Sequence, residues 1–167
     1  MVNLFAYFFI SLIFLIALSA IVTVLISQKI KRSIPKFGKI TTLKDAEIHW
    51  YETGHGRPII MLHGLAGNLR NFTYALTDKL NQDFRVIALD RAGCGWSKRS
   101  RPESATLNEQ ARIISEFIKK EKIEKPLIVG HSLGGAIALT LALEHKTAIS
   151  GLALICPATQ MIDDIPD

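Results

Sequence analysis

The residues that could do chemistry in this chain lie around Ser132, in the segment Pro126 to Gly135 (PLIVGHSLGG). The apolar run from Leu127 to Val129 is typical of a strand buried on both faces of a parallel sheet. Gly130 and Gly134 lack the Cβ atoms that would clash if a serine were held on a tight turn between that strand and a helix. The spacing G-x-S-x-G therefore predicts a serine hydroxyl presented at the carboxyl end of a sheet.

The segment after this serine predicts a buried helix, because residues 135–144 are almost all small or apolar. The amino end of such a helix directs backbone N–H donors toward an oxyanion formed at the serine. The alternative is a glycine-rich turn without chemistry. Since three fixed positions match by chance in about 5% of chains of this length, the preceding strand and the following helix favour the catalytic interpretation more than the motif does.

Three motifs in order resemble the α/β-hydrolase fold family, in its serine esterase and lipase branch. GHSLGG is similar to the nucleophile elbow of that family. An apolar strand ending at His63-Gly64-Leu65 resembles its third strand and oxyanion loop, and Asp90 to Ser97 (DRAGCGWS) resembles its D-x-x-G-x-G-x-S turn. The resemblance covers roughly Ile40 to Ala158.

This resemblance implies an α/β fold with a mostly parallel sheet of about six strands and flanking helices, truncated after the sixth strand; the apolar run at the N-terminus adds one predicted transmembrane helix before it. It implies a Ser132 acyl-enzyme that hydrolyses carboxylic esters or acylglycerol-type lipids, with the backbone N–H groups of Leu65 and Leu133 as the oxyanion hole. A serine at the elbow disfavours the epoxide hydrolases and dehalogenases, which use an aspartate nucleophile, and leaves amidases, carbon–carbon hydrolases and peroxide-forming relatives open. The sequence carries no cofactor or metal motif.

The family pattern continues after the serine with an acid and then a histidine. The only histidine after Ser132 is His145, which a helix would place about 20 Å away. His131 should point away from the hydroxyl, and His63 is expected to order the oxyanion loop. Because a serine without a base is weakly nucleophilic, we expect this chain alone to be inactive or weak.

The sixth predicted strand, Ile149 to Ala158, is followed by only nine residues. Asp163 or Asp164 could supply a triad acid, but we expect the rest of the hydrolase core to be missing. A partner chain could then cover the exposed edge of the sixth strand. Two alternatives stay open: a non-catalytic, membrane-tethered binding or scaffold module, and a fragment of an interrupted longer enzyme.

Residues 1–28 are predicted to form a single transmembrane anchor. Leu4 to Ile26 carry no charge and would extend about 35 Å as a helix, enough to span a bilayer. The alternative is a cleaved signal peptide, but no Lys or Arg precedes the apolar run, which is longer than a signal core. We predict a basic juxtamembrane linker at residues 29–40 and the N-terminal part of the hydrolase core at residues 41–167.

The formal net charge of +5 arises in the N-terminal 40 residues, which contain no acid. Five cations lie there: Lys29, Lys31, Arg32, Lys36 and Lys39. With those five set aside, 15 Lys+Arg remain against 15 Asp+Glu, so the basic balance gives no argument for a nucleic-acid partner. Basic residues beside a spanning helix favour anionic headgroups and the cytoplasmic side, so we expect a single-pass protein with its hydrolase domain in the cytoplasm.

Two amphipathic helices are predicted as scaffold. The first begins at Asn71 as a plausible N-cap, and its apolar residues recur every four positions. The second runs from Leu107 to about Lys120, with Thr106-x-x-Glu109 as a capping box. Its predicted buried stripe consists of Leu107, Ala111, Ile114 and Ile118.

Several other polar residues are predicted to have no catalytic role. One or two half-buried edge strands are predicted between Ile40 and Tyr51, and His49 and His55 are predicted surface histidines. The strand order that the resemblance implies would place Cys94 and Cys156 three strand spacings apart, about 14 Å, so both are predicted to be free thiols. The cations at positions 98, 99 and 101 are predicted to lie in a solvated loop, with a substrate-phosphate clamp as the alternative.

Overall fold

The computed structural model describes residues 2–33 and 37–159. Its contacts divide the chain into two units, Met1–Phe37 and Gly38–Asp167. Residues 34–36 of the predicted linker and the candidate acids Asp163 and Asp164 lie outside the described residues.

The first unit contains one helix, α1 (Val2–Ser33), which continues past the predicted end of the anchor at residue 28. Its stretch Asn3–Ile30 has a mean hydropathy of 2.9 and no buried part, so it is long and apolar enough to cross a membrane. The hydroxyls of Ser19 and Thr23 donate to carbonyl oxygens of the preceding turn, at 2.8 Å each, which satisfies both in an apolar surrounding. A signal sequence near the N-terminus can meet the same criterion of length and hydropathy, so α1 is a candidate membrane span.

The second unit is built on one seven-stranded sheet in the order β1-β2-β4-β3-β6-β7, with β5 paired to β2. β3, β4, β6 and β7 are parallel to one another, whereas β1, β2 and β5 pair antiparallel. The predicted α/β fold with a mostly parallel sheet is confirmed. The strands are β1 (Lys39–Thr42), β2 (Ala46–Thr53), β3 (Arg57–Leu62), β4 (Phe84–Leu89), β5 (Lys98–Arg99), β6 (Leu127–His131) and β7 (Gly151–Ile155).

The two-residue strand β5 corrects one prediction. The sequence predicts a solvated loop there, but Lys98 and Arg99 extend along β2, and Lys98 forms an ion pair with Glu47 at 2.8 Å. Arg101, just beyond the strand, pairs with Asp45 at 3.3 Å. Lys98 and Arg101 are thus engaged by acids in or next to β2, which gives the phosphate-clamp alternative no support.

Four α-helices accompany the sheet: α2 (Arg70–Thr73), α3 (Leu76–Leu80), α4 (Leu107–Lys120) and α5 (Leu133–Glu144). Single 3-10 turns occur at Pro102–Ala105 and Lys146–Ala148. The prediction of one helix beginning at Asn71 is wrong, because Ala75 leaves the helical region at φ −151° and separates α2 from α3. The Asn71 side chain accepts from the Asn68 N–H at 2.8 Å, within the loop that precedes α2.

Helix α4 begins where the capping box predicts, since the Thr106 hydroxyl accepts from the Glu109 N–H. Ala111, Ile114 and Ile118 are buried as predicted, but Leu107 is 38% exposed. Leu107 is the first residue of the helix, so it lies at the end of the buried stripe and not within it.

The main core lies between one face of the sheet and helices α4 and α5. Alternate residues of the central strands, such as Ile60 and Leu62, join residues of α4 and α5 in one cluster. The ring of Phe117 on α4 meets the ring of Trp50 on β2 edge to face, with centroids 5.4 Å apart. β7, which pairs only with β6 among the described residues, leaves Ile155 43% exposed.

Candidate active site

Ser132 lies on the turn that joins β6 to α5, the Ser132 turn (Gly130 to Gly135). Its backbone has φ 52° and ψ −120°, and α5 begins at the next residue, Leu133. A positive φ is unfavourable for a residue with a Cβ, so the surrounding structure must hold it in place. The predicted order of strand, sharp turn and helix is confirmed.

Hydrogen bonds on both sides of Ser132 hold this conformation. Its N–H donates to the Ile155 carbonyl at the end of β7, at 3.0 Å. Its own carbonyl oxygen accepts from the N–H groups of Gly135, at 2.8 Å, and Ala158, at 3.0 Å. The hydroxyl is half-buried and makes no hydrogen bond to the described residues. The turn therefore fixes the backbone and leaves the hydroxyl available.

Close backbone approach explains the last glycine of the motif G-x-S-x-G. A Cβ at Gly134 would overlap the Leu62 carbonyl oxygen and lie 2.7 Å from that of His63, so the start of α5 packs directly on the end of β3. On the other side, a Cβ at Gly64 would lie 3.1 Å from Ser132 Cβ. The loop after β3 is thus in contact with the nucleophile candidate.

The two predicted oxyanion donors belong to these neighbouring segments. Leu133 is the first residue of α5, where backbone N–H groups have no partner within a helix. Leu65 lies in the β3–α2 loop (residues 63–69), directly after Gly64, and its side chain is 78% exposed. The structure therefore brings the peptide units of both predicted donors to the same turn as the serine.

Buried His63 orders the start of the β3–α2 loop. Its Nδ1 lies 2.8 Å from the Gly64 carbonyl oxygen, and its Nε2 lies 3.1 Å from the backbone nitrogen of Arg91. Because the Arg91 N–H can only donate, Nε2 must be the acceptor and Nδ1 must carry the proton. Burial lowers the pKa of His63, and the positive charge of Arg91 lowers that pKa further, against the hydrogen bond to Gly64. The ring is accordingly a neutral structural link, as predicted.

A second buried histidine is the main correction to the sequence analysis. His49, predicted at the surface, is 2% exposed, and its Nδ1 lies 2.7 Å from Asp90 Oδ2. β2 is flanked by β1 on one side and by β4 and β5 on the other, so its central residues are covered on both edges. No spacing in the sequence connects His49, on β2, with Asp90, which directly follows the neighbouring strand β4. The pair could therefore not be predicted from the sequence.

The Asp90 carboxylate joins three segments. Oδ1 accepts from the Leu69 N–H at 2.7 Å, and Oδ2 accepts from the Trp96 N–H at 2.8 Å in addition to its contact with His49. Gly95 packs directly on this carboxylate, where a Cβ would overlap it. Asp90 thus fastens the β3–α2 loop and the Asp90 turn (Asp90 to Ser97) to strand β2, and it lies two strands away from β6.

The remaining histidines provide no described base for Ser132. His131 is exposed, and its Nδ1 lies 3.2 Å from the position of a Gly64 Cβ, but it makes no hydrogen bond to the serine hydroxyl among the described contacts. His145 lies at the far end of α5, as its C-cap. His55 is exposed, as predicted.

The two cysteines and the possible metal ligands complete the description of the site. Half-buried Cys94 and exposed Cys156 are free thiols. In the ranges 2–33 and 37–159, no group of three His, Cys, Asp or Glu side chains could hold a metal ion. The described site is therefore a serine, two candidate amide donors and a hydrogen-bonded support.

Known proteins are similar to this chain over part of their length. The dihydrolipoyllysine-residue acetyltransferase component of the acetoin cleaving system from Cupriavidus necator is 34% identical over 104 residues, which cover 62% of this chain and 27% of that protein. Haloalkane dehalogenase 2 from Mycobacterium tuberculosis is 32% identical over 110 residues, which cover 64% of this chain and 37% of that protein. The solved structure of the N-acyl homoserine lactonase AidH, complexed with N-butanoyl homoserine, matches with a TM-score of 0.68 at 25% identity, over 73% of this chain and 45% of that one.

These relatives differ in the chemistry that their names describe, so they indicate a fold and not a substrate. The chain spans between 27% and 38% of the length of the curated relatives it matches. A family profile described as the alpha/beta hydrolase fold matches residues 57–166, more than half of the chain. Together with the parallel sheet and the Ser132 turn, this match shows that the chain belongs to the α/β-hydrolase fold family.

Proposed function

We propose that this chain is the nucleophile-bearing part of a membrane-anchored serine hydrolase that cleaves carboxylic esters or acylglycerol-type lipids. The observation that carries the proposal is the Ser132 turn. It holds a serine at φ 52° directly before helix α5, with Gly64 against its Cβ. A strained, well-supported backbone that leaves its hydroxyl unengaged is typical of a nucleophile and not of a structural serine.

In the proposed reaction, Ser132 Oγ attacks the carbonyl carbon of the ester and the carbonyl oxygen becomes an oxyanion. The N–H groups of Leu65 and Leu133 stabilise that charge, since both belong to peptide units beside the serine. The alcohol leaves with a proton and an acyl-enzyme forms. Water then attacks the acyl carbon, which releases the carboxylic acid and restores the serine.

The proton of Ser132 must pass to a base. His63 uses both ring nitrogens in buried contacts, and His49 is buried with its Nδ1 against Asp90. The other three histidines make no hydrogen bond to the hydroxyl among the described contacts. We therefore propose that the base and its acid come from residues beyond the described ones, in a further segment or in a partner chain on the exposed β7 edge. Turnover by the 167 residues alone is then expected to be absent or weak.

The experiment that tests this function is labelling of the detergent-solubilised chain with a fluorophosphonate probe. The serine oxygen displaces fluoride from phosphorus and forms a stable adduct. Because an oxyanion hole keeps part of the rate enhancement when the base is missing, we expect a slow adduct on Ser132 alone, as located by mass spectrometry, and no adduct in the Ser132→Ala variant. Ser150, which is exposed on the loop before β7, serves as the matched control, since Ser150→Ala should label like the wild type.

Failure to label a folded sample would contradict the enzyme proposal for this chain. It would favour the second candidate, a hydrolase-like binding or scaffold module, for which the observation is the absence of a described histidine bonded to Ser132. Under that candidate, Ser132→Ala would also leave the biological effect of the protein intact.

The membrane part of the proposal rests on helix α1 and on the cations that follow its apolar stretch. We propose that α1 spans the bilayer once, contacts membrane lipids, and leaves the hydrolase unit on the cytoplasmic side. Retention of the full-length chain in membranes washed with alkaline carbonate would support this assignment. A mature protein whose N-terminus begins after Ala20 would show a cleaved signal peptide instead.

A further inference from the structure

We propose that Arg91 is a positioning residue of the oxyanion hole, which aims the Leu65 N–H by holding the carbonyl oxygen of Gly64. The inference rests on the function proposed above, because it assigns Leu65 a substrate-facing donor. Arg91 itself touches no reacting atom. It acts through the peptide group between Gly64 and Leu65.

The Gly64 carbonyl oxygen and the Leu65 N–H belong to one planar peptide group. In a trans peptide, the carbonyl oxygen of one residue and the N–H of the next lie in one plane and point in opposite directions. No cis peptide bond occurs in the described chain. Whatever fixes the Gly64 carbonyl oxygen therefore fixes the direction of the Leu65 N–H as well.

Arg91 binds this carbonyl oxygen through its charged guanidinium group. Its Nη2 donates to the Gly64 oxygen at 3.0 Å, and its Nε donates to the His63 oxygen at 2.9 Å. The guanidinium thus holds two consecutive peptide groups with one rigid, planar fork. Hydrogen bonds from a charged donor are roughly twice as strong as neutral ones, which suits a contact that must fix an orientation.

The burial of Arg91 indicates that these contacts are its main role. The residue is only 5% exposed, and no carboxylate forms an ion pair with it in the part of the chain that the structure describes. Burying an unpaired charge is unfavourable unless polar groups replace the lost water. Here the carbonyl oxygens of the β3–α2 loop are those polar groups.

Three contacts reinforce the orientation. His63 Nδ1 also donates to the Gly64 oxygen, at 2.8 Å, and the Gly67 N–H approaches the same oxygen at 3.3 Å. At the other end of the β3–α2 loop, the Leu69 N–H is bound by Asp90. Consecutive residues of the Asp90 turn therefore hold the two ends of the loop that carries Leu65.

The test compares Arg91→Met and Arg91→Lys with Arg101→Met in the full-length, detergent-solubilised chain. Arg101 is 55% exposed and, among the described residues, forms ion pairs with Asp45 and Glu109, so the Arg101→Met variant controls for the removal of a cation. The first measurement is the rate of Ser132 phosphonylation by the fluorophosphonate probe. We expect Arg91→Met to slow it about 10-fold to 100-fold, less than the loss of an oxyanion donor itself. Arg91→Lys should lie in between, because one ammonium cannot hold both carbonyl groups in a fixed fork.

The second measurement is amide hydrogen exchange at single-residue resolution, which needs no activity. In Arg91→Met, the Gly67 N–H should exchange at least about 10-fold faster, because its acceptor, the Gly64 carbonyl, is no longer held. The Leu69 N–H, bound to Asp90, should keep its exchange rate. In Arg91→Ala, guanidinium ion at a concentration that does not denature the protein should restore part of the Gly67 protection.

Each outcome decides one of the two proposals. If wild-type Ser132 is not phosphonylated, the proposed function fails, while selective loss of Gly67 protection would still show that Arg91 orients the loop. If Gly67 exchange and the labelling rate in Arg91→Met match those in Arg101→Met, the inference is wrong. Uniformly faster exchange in β3, β4 and β6 of Arg91→Met and Arg91→Lys would also overturn the inference, because it would show that Arg91 has a general structural role.

Discussion

Two turns at the carboxyl edge of the same sheet use their polar groups in opposite ways. The Ser132 turn, after β6, carries a half-buried hydroxyl without a hydrogen bond to the described residues, on a backbone at φ 52°. In the Asp90 turn, after β4, the carboxylate is 1% exposed and both of its oxygens are hydrogen-bonded. One turn leaves its hydroxyl without a hydrogen bond to the described residues, and the other satisfies both carboxylate oxygens internally.

This difference suggests that the Asp90 turn supports the structure and that the Ser132 turn serves the proposed chemistry. A residue with a Cβ at positive φ raises the energy of the folded state, typically by about 1 kcal/mol or more, and this strain persists only where neighbouring structure holds it. Buried charges with complete hydrogen bonding make the neighbouring loops rigid. We therefore expect substitutions in the Asp90 turn to change mainly stability and substitutions at Ser132 to change mainly reactivity.

The largest expected effect is the loss of the Asp90 carboxylate. Asp90→Ala removes the carboxylate that binds the buried His49 ring, the buried Leu69 N–H and the half-buried Trp96 N–H, and should destabilise the hydrolase unit by about 3–5 kcal/mol. Thermal unfolding, followed by the near-ultraviolet circular dichroism of Trp50 in its packed environment, measures the change.

Ser132→Ala is the matched control for this comparison, and its melting temperature should stay close to that of the wild type. Equal destabilisation by the two substitutions would show that both turns contribute to stability, against the proposed division of roles. A small effect of Asp90→Ala would show that water or a rearranged loop replaces the carboxylate.

An intermediate effect should appear when the pH is lowered through the ordinary pKa of histidine. The pKa of His63 is lowered in the folded protein, mainly by burial, so the unfolded chain binds more protons below about pH 6.5. Stability is then fully present above that pH and falls as the pH decreases toward the folded pKa, with a slope of at most about 1.4 kcal/mol per pH unit. Denaturant unfolding between about pH 7.5 and 5 measures this slope.

Two substitutions sharpen the pH experiment. His63→Gln should flatten the slope, because the titrating group is gone, although the variant is less stable at pH 7.5. His55→Gln removes an exposed histidine and should leave the slope unchanged. If the slope persists in His63→Gln, another group causes the loss of stability at low pH and the prediction for His63 is wrong.

The smallest effect concerns the strain at Ser132. Ser132→Gly should stabilise the hydrolase unit by about 0.5–1 kcal/mol, because glycine adopts positive φ without steric penalty, although it also gains entropy in the unfolded state. Ser132→Ala keeps the Cβ and the strain, so only the glycine variant should melt at a higher temperature. If both variants melt together, the surrounding hydrogen bonds impose no measurable strain on this residue.

Much of the fold was predictable because strong local patterns coincide with it. The apolar runs of β3, β4 and β6 end at the positions expected from His63, Asp90 and Ser132, since each run is bounded by a glycine-containing turn. The capping box at Thr106 placed the start of α4 correctly because it depends on residues only three positions apart. The break between α2 and α3 was not predictable in this way, because both helices are short and the periodicity continues across the break.

The buried hydrogen bonds that hold the loops around the candidate site were harder to predict from the sequence. His49 was predicted at the surface because alternation along a strand distinguishes two faces, but it does not reveal how many strands lie beside it. The contacts of Arg91 with the carbonyl oxygens of His63 and Gly64 join two loops that follow different strands. Such contacts depend on the order β4-β3-β6 in the sheet, which only the assembled structure provides.

The sequence by itself determined the nucleophile candidate, the strand and helix around it and the apolar helix at the N-terminus, because these features depend on residue types at short spacing. The tertiary structure alone decided that Asp90 binds His49, that Arg91 holds the Gly64 carbonyl and that no described histidine bonds to Ser132. The physical reason is that hydrogen bonds and ion pairs act over about 3 Å, whereas the residues that form these two contacts are separated by 41 and 27 positions in the chain.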